Sequence, residues 1–310
     1  MDYLILFTGL ILLLVGGELL VKGAVGIALK LKIAPMIIGL TVVSFGTSAP
    51  ELLVSLKAAL SGHGDLAIGN IVGSNIANLA LVLGVTALII TIPVEKNTMK
   101  IDWPFMMFSS LLLWYFISTD SYIEPFEGLI MVALLLSYLI FLVAKSRKDK
   151  KQRIAVDEEE DQKTYILYII FILVGIGGLV GGAHWMVEGA TSIAMSFGVS
   201  EYIIGVTVIA FGTSLPELAT SVIAASRGRT DISVGNLVGS NIFNILAVLG
   251  ITSSVTRIDV ASQVLESDIF WLLGVTLMIF PMMCFTRKIG KVSGVILLST
   301  YVFYIYVVIS

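Results

Sequence analysis

The sequence has few charged residues and almost no cysteine. Only 13% of its 310 residues are Asp, Glu, Lys or Arg, about half the charged fraction of an average soluble domain. This scarcity excludes a soluble globular protein and indicates that lipid surrounds most of the chain. The single cysteine, Cys284, excludes an intramolecular disulfide. The apolar runs also lack the alternation of apolar and polar residues that membrane β-strands show, which argues against a barrel.

What the sequence does contain is long apolar runs. A helix needs roughly 20 apolar residues to cross a bilayer, and ten runs approach or exceed that length. We therefore predict an all-α integral membrane protein with about ten transmembrane helices. The runs lie near residues 3–26, 33–60, 66–92, 101–119, 124–144, 164–190, 200–226, 232–256, 268–286 and 292–309.

The longest polar stretch, residues 145–163, separates five runs from the other five and contains seven Lys and Arg residues. Because cytoplasmic loops of membrane proteins are enriched in Lys and Arg, we expect this loop in the cytoplasm and both termini outside, with the protein in the cell (plasma) membrane. This orientation places all but two of the 19 basic residues on the inner side. The two exceptions are Lys57 and Arg257.

The chain repeats itself. Residues 35–84 align with residues 201–250 at an offset of 166 positions, without a gap, and "IIGLTVVSFGTSAPELLVS" in the first copy corresponds to "IIGVTVIAFGTSLPELATS" in the second. Each half contains an odd number of predicted spans, so the halves should have opposite orientations, as in many secondary transporters. We predict a first five-helix half at 1–144, a charged cytoplasmic loop at 145–163, and a second five-helix half at 164–310.

Two polar motifs occur in each copy. The motif GTSxPE lies at 46–51 and 212–217, and GSNIxN lies at 73–78 and 239–244. Their polar side chains all bear oxygen, without His, Cys or Lys, which favours hard cations such as Ca²⁺, Mg²⁺ or Na⁺. Pro50 has no N–H and clashes with the carbonyl four residues earlier. We therefore expect a helix break near Gly46 and Thr47 that frees main-chain carbonyls.

Glu51 and Glu217 are the expected charged ligands. If they meet on the pseudo-symmetry axis, two bidentate carboxylates and the carbonyls near Thr47 and Thr213 give six oxygens, which is within the range that Ca²⁺ takes. The alternative is an ordinary kinked helix whose hydroxyls bond to the preceding turn. Likewise, the alternative role for the amides of GSNIxN is to form hydrogen bonds between helices.

The paired motifs resemble the two alpha-repeats of the calcium/cation antiporter superfamily, in the branch of prokaryotic sodium/calcium exchangers, and the resemblance covers essentially the whole chain. It implies four adjoining sites for one Ca²⁺ or three Na⁺, and a first span in each half that slides as a gate. Potassium-dependent relatives typically have Asp at the position of Asn244, and proton-coupled members a different motif in place of GSNIxN. The implied metal ligands are Ser44, Thr47, Ser48, Glu51, Ser74 and Asn78, with Ala210, Thr213, Ser214, Glu217, Ser240 and Asn244.

We therefore predict an electrogenic Na⁺/Ca²⁺ antiporter that works by alternating access and is not an enzyme. Ca²⁺ and Na⁺ are its transported ions, the bilayer is its partner, and neither a cofactor nor nucleic acid is expected. A monomer is sufficient, and the oligomeric state stays open. Alternatives are Ca²⁺/H⁺ exchange and an oxygen-lined cation channel. An intramembrane protease would need a catalytic pair, and the apolar spans show none near the motifs.

Overall fold

The computed structural model describes residues 2–31, 33–148, 162–198 and 210–309, and these are almost entirely helical. Within these ranges, eight helices are long and apolar enough to cross a membrane, and the interrupted segment 35–60 makes a ninth. The predicted all-α fold is therefore confirmed. The predicted span near 200–226 begins outside the described residues, and its described part is formed by two shorter helices, Ala210–Thr213 and Leu215–Ser226.

The twelve helices of the described ranges follow one another with short connections. They are α1 (Asp2–Leu31), α2 (Pro35–Thr47), α3 (Ala49–Leu60), α4 (Gly64–Ile89), α5 (Thr98–Asp120), α6 (Pro125–Lys148), α7 (Gln162–Ser196), α8 (Ala210–Thr213), α9 (Leu215–Ser226), α10 (Thr230–Val255), α11 (Val264–Thr286) and α12 (Lys291–Ile309). Five of these helices include a π-helical turn, at Gly39–Val43, Ala77–Val82, Thr98–Asp102, Asn244–Leu249 and Val264–Asp268.

The sequence repeat is also a repeat of local structure. Helices α3, α4 and α5 recur as α9, α10 and α11, and each begins and ends 166 positions later than its counterpart. Even the backbone irregularities recur, since Ser121 and Arg287 are the non-glycine residues with positive φ in the described chain and lie 166 positions apart. Both halves therefore encode the same succession of elements.

The structure contains two small antiparallel sheets that the sequence analysis did not predict. Strand β1 (Ile92–Pro93) pairs with β4 (Lys288–Ile289), and β2 (Tyr122–Ile123) pairs with β3 (Ile258–Asp259). Strands of two residues are too short to leave an alternating pattern in the sequence, so sequence inspection alone could not find them.

The chain forms two compact units. Unit 1 comprises residues 1–47 and 141–236, and unit 2 comprises residues 48–140 and 237–310. Each unit contains segments of both sequence halves. The division into 1–144, 145–163 and 164–310 is a division of the sequence, and it stays a prediction.

In unit 1, α1 and α7 pack against each other through glycines. A Cβ atom on Gly16 would lie 2.7 Å from the backbone N of Leu179, and one on Gly175 would lie 2.6 Å from that of Leu20. No side chain fits at such distances, so the two backbones are in direct contact, as small residues allow in membrane helix pairs. Helix α9 also packs against both α1 and α7.

In unit 2, α4 is the central helix and packs against α3, α11, α12 and the π-helical turn Asn244–Leu249 of α10. The helices that contain GSNIxN are the most buried of the candidate spans. In the 18-residue apolar segment of each helix, buried residues make up 78% in α4 and 94% in α10, against 39% or less in the six other long helices. The polar motif residues are therefore in the interior, where an unsatisfied polar group is costly.

Candidate cation site

Each GTSxPE motif interrupts a helix at its second hydroxyl residue. In the second repeat, α8 ends at Thr213, Ser214 forms a turn, and α9 begins at Leu215 with Pro216 in its first turn. Because Pro216 has no N–H, the carbonyl of Gly212 lacks its usual helical donor. In the first repeat the break falls at Ser48, one residue after the predicted position. The predicted helix break is therefore present in both repeats, and the release of main-chain carbonyls as cation ligands stays a prediction.

Glu51 and Glu217 occupy equivalent places just after these breaks. Each lies in the first turn of its helix, where the free N–H groups and the helix dipole favour a negative charge. Both residues are fully buried, with 0% of their surface exposed. Helices α2, α4, α8, α9 and α10 contain no Lys, Arg or His, and in α3 the only such residue is Lys57, which is exposed. The helices that carry the motifs therefore hold two buried carboxylates and no buried basic side chain.

In unit 1, Asn236 joins residues of both repeats. The hydroxyl of Thr47 donates to Oδ1 of Asn236 at 3.1 Å, and Nδ2 of Asn236 donates to Oγ of Ser221 at 3.0 Å. The same Nδ2 lies 3.5 Å from the main-chain oxygen of Glu217. Ser44 completes the cluster, since its hydroxyl lies 3.1 Å from the main-chain oxygen of Asn236 and donates to the main-chain oxygen of Gly39 at 2.7 Å. All the polar side chains of this network are fully buried.

Asn236 and Ser221 are absent from the predicted site residues. A signal for them existed, because both residues are identical to their repeat partners, Asn70 and Ser55, and all four lie in buried or half-buried positions. The same contact occurs in unit 2, where Nδ2 of Asn70 donates to Oγ of Ser55 at 3.0 Å. The repeat thus conserves a hydrogen bond, and the sequence alignment alone could have indicated these residues.

In unit 2, two amides of GSNIxN have no hydrogen-bond partner. Asn78 and Asn244 are fully buried, and no atom of the described chain bonds to either side-chain amide. Each lies in or at the start of a π-helical turn, a feature that is frequent at functional sites. Leaving such groups unpaired costs about 1–3 kcal/mol each, so these amides indicate a polar occupant such as an ion or water.

The amide of Asn75 has a different role. Its Nδ2 donates to the main-chain oxygen of Asn241 at 3.3 Å. Asn241 is the residue that aligns with Asn75 in the sequence repeat. The interpretation as a hydrogen bond between helices therefore holds for Asn75. The alternative for GTSxPE, a kinked helix whose hydroxyls bond to the preceding turn, holds partly in the first repeat, where the hydroxyl of Thr47 also lies 3.3 Å from the carbonyl oxygen of Ser44.

The remaining predicted ligands are divided between the two units. Ser48, Ser74 and Ser240 are buried in unit 2, Ser214 is buried and Thr213 half-buried in unit 1, and Ala210 is described only by its backbone. Glu51 belongs to unit 2 and Glu217 to unit 1, and their pairing around one ion stays a prediction. In the part of the chain that the structure describes, no group of three or more His, Cys, Asp or Glu residues could hold a metal. A cation here would therefore depend on neutral oxygens as well as on carboxylates.

Comparison with known proteins decides the family. The family model described as sodium/calcium exchanger protein matches residues 1–144 and 167–310. The chain belongs to this family. Curated relatives also match along nearly the whole length of the chain. The chain is 37% identical to the putative antiporter CaxA of Alkalimonas amylolytica over 97% of both proteins. It is 30% identical to the sodium/calcium exchanger MaX1 of Methanosarcina acetivorans over 99% of this chain and 98% of that one.

Solved structures support the same assignment to the sodium/calcium exchanger family. The chain superposes on the sodium–calcium exchanger NCX_Mj, soaked with Na⁺, with a TM-score of 0.84 at 30% identity and 98% coverage of both chains. The predicted family and the integral, multi-pass membrane character of the chain are thereby confirmed.

Proposed function

We propose that this exchanger-family protein moves Ca²⁺ across the cell membrane in exchange for Na⁺. The observation that carries the proposal is the pair of fully buried glutamates, Glu51 and Glu217, in helices that contain no buried basic side chain. A buried charge near the bilayer centre costs roughly 3 kcal/mol or more without a partner. A divalent cation offsets two such charges at once.

The proposed metal ligands are the aligned oxygen-bearing residues of the two repeats. Glu51 and Glu217 supply the charge, and the main-chain carbonyls at Thr47 and Thr213 complete the Ca²⁺ site. The unpaired amides of Asn78 and Asn244 support the proposal, because a bound ion accounts for buried oxygens without a hydrogen-bond partner. The flanking Na⁺ sites would draw on Ser44, Ser48, Ser74, Ala210, Ser214 and Ser240.

The proposed mechanism is alternating access by two inverted five-helix repeats, ten spans in all. The 166-residue offset between equivalent helices supports the duplication, and an odd number of spans in each copy would invert the second copy relative to the first. Ca²⁺ and Na⁺ compete for the same carboxylates, so each ion displaces the other. A site with two ionised glutamates is neutral with Ca²⁺ and carries one positive charge with three Na⁺, which makes the exchange electrogenic.

The deciding experiment is uptake of radioactive calcium into proteoliposomes that contain the purified protein. An outward Na⁺ gradient should drive uptake, and an outward proton gradient alone should not. Uptake under the proton gradient alone would show Ca²⁺/H⁺ exchange instead. Downhill calcium flux without any counter-ion would show a channel.

The orientation can be tested by cysteine labelling. In a Cys284→Ser background, a cysteine placed at position 155 should be shielded from an impermeant thiol reagent in intact cells and labelled after the membrane is permeabilised. A cysteine in place of Glu124, which is exposed between β2 and α6, should be labelled in intact cells. The reverse pattern would show that both termini are cytoplasmic and that the orientation inferred from the basic residues is wrong.

A second prediction concerns potassium. Asn244 offers a neutral oxygen where potassium-dependent relatives typically have a carboxylate. A site with two charges that already holds Ca²⁺ has none left to balance K⁺, and an unbalanced buried cation is costly. We therefore expect Na⁺-driven calcium flux to be unchanged when choline replaces K⁺ on both sides of the membrane. Loss of flux on that replacement would show that the charge argument fails, and Asn244→Asp is the variant in which K⁺ stimulation is expected.

A further inference from the structure

A pocket of about 460 Å³ lies in unit 1, apart from the polar motifs. Its walls come from three places in the sequence: the second half of α1, the first half of α7, and the turn between α9 and α10. Glu18, Lys22, Arg227 and Arg229 form its charged part. The rest is mainly apolar and aromatic, from Val21, Val25, Gly26, Leu29, Tyr168 and Phe171.

The charged part of the pocket is positive, with three basic side chains against one carboxylate. Arg227 pairs with Glu18 at 2.9 Å, and Arg229 pairs with Asp231 beside the pocket at 3.2 Å. Lys22 is exposed and has no ion pair within the described residues. Each guanidinium has five N–H donors, so both arginines keep donors beyond those in their ion pairs. The pocket therefore suits an anion with several acceptor oxygens, such as a phosphate group.

The position of the pocket favours a lipid as the source of that phosphate. Asp2 and Lys22 stand 20 positions apart on α1, which is about 30 Å of helix and equals the thickness of the hydrocarbon core. If Asp2 lies at one surface of the membrane, Lys22 therefore lies at the level of the lipid headgroups of the other surface. In the orientation proposed from the basic residues, this end of α1 is on the cytoplasmic side, where basic pockets between helices bind anionic headgroups.

We propose that this pocket binds the phosphate of an anionic phospholipid from the cytoplasmic leaflet. Lys22 and Arg229 would hold the phosphate, and the side chains of Val25, Leu29 and Phe171 would contact its glycerol and the first methylene groups. The Glu18–Arg227 pair already links α1 to the residue after α9, and a bound phosphate adds a second link between the same elements. The bound lipid therefore stabilises the arrangement of α1, α7 and α9 in unit 1.

The test is lipid binding and does not depend on transport. Phosphatidylglycerol is titrated into the full-length protein in neutral detergent, and the midpoint of thermal unfolding is followed, since a ligand of the folded state raises it. We expect phosphatidylglycerol to raise the midpoint in a saturable way and phosphatidylcholine to have little effect. Lys22→Gln should weaken the apparent affinity roughly fivefold, and Lys22→Gln with Arg229→Gln roughly 30-fold, since each basic residue near an anionic headgroup contributes a similar factor.

The matched control is the double variant Lys288→Gln and Lys291→Gln. These two lysines are exposed, are assigned to the same side of the membrane, and lie outside the pocket. The control should bind phosphatidylglycerol as the wild type does.

Equal affinity in the wild type and both pocket variants would overturn the proposal, as would an equal loss of affinity in the control variant. A shift of the same size with soluble glycerol 3-phosphate would show a site for free anions rather than lipid. Because Lys22 is exposed and has no ion pair with any residue that the structure describes, the single variant keeps the test valid if Arg229→Gln impairs folding.

Discussion

Glutamine in place of Glu51 or Glu217 is expected to abolish calcium transport while the protein stays folded. Ca²⁺ gives up most of its hydration on binding, and two negative charges are needed to compensate for that loss. Glutamine keeps the size of the side chain and one oxygen but removes the charge. Changes in residues that merely support metal ligands cost about 10–100-fold in affinity or activity, so loss of a charged ligand should reduce transport at least about 100-fold.

The measurement is Na⁺-driven calcium uptake by each variant in proteoliposomes, with the amount of folded protein determined by size-exclusion chromatography. The control is Glu266→Gln, the same substitution at an exposed glutamate near the start of α11, which should transport as the wild type does. Uptake of a third or more of the wild-type rate in either Glu51→Gln or Glu217→Gln would contradict the proposal that both charges bind one ion.

The helix breaks could be predicted from the sequence because their cause is local. Pro50 and Pro216 each remove a donor from a bond that closes within four residues, so the effect depends little on the rest of the fold. The succession of spans was predictable for a similar reason, since the length of an apolar run reflects the thickness of the bilayer. These features need only the chain itself and its solvent.

The contact between Asn236 and Thr47 and the lack of partners at the amides of Asn78 and Asn244 depend on tertiary structure and could not be predicted in the same way. The partner of Asn236, Thr47, is 189 positions away in the sequence, and no spacing rule indicates such a pair. The repeat indicated that Asn70 and Asn236 have a shared role, but not that Asn236 is fully buried while Asn70 is half-buried. The two positions have identical residues and different surroundings, and sequence comparison cannot show that difference.

Alanine in place of Asn236 is expected to weaken calcium binding about 10–100-fold, the usual effect of removing a residue that orients metal ligands. Asn236 does not need to contact the ion. Its side chain accepts from the hydroxyl of Thr47, donates to Ser221 and lies 3.5 Å from the main-chain oxygen of Glu217. It therefore holds the proposed carbonyl ligand of the first repeat in a fixed position relative to the segment of Glu217 in unit 1.

A double-mutant cycle with Thr47→Val separates this positioning role from a general loss of stability. Valine removes the hydroxyl of Thr47 but keeps the β-branched shape and the main-chain carbonyl. If Asn236 acts by orienting Thr47, the single variants should raise the calcium concentration for half-maximal uptake, and the double variant should raise it less than the product of the two single effects. Independent effects, or a fall in maximal rate and thermal stability with unchanged half-maximal calcium, would show that Asn236 serves only to hold the helices together. Its partner in the sequence repeat, Asn70, also donates to a serine, Ser55, but it is half-buried whereas Asn236 is fully buried. Because water can replace the hydrogen bonds of a half-buried side chain, Asn70→Ala should shift the half-maximal calcium concentration less than Asn236→Ala does.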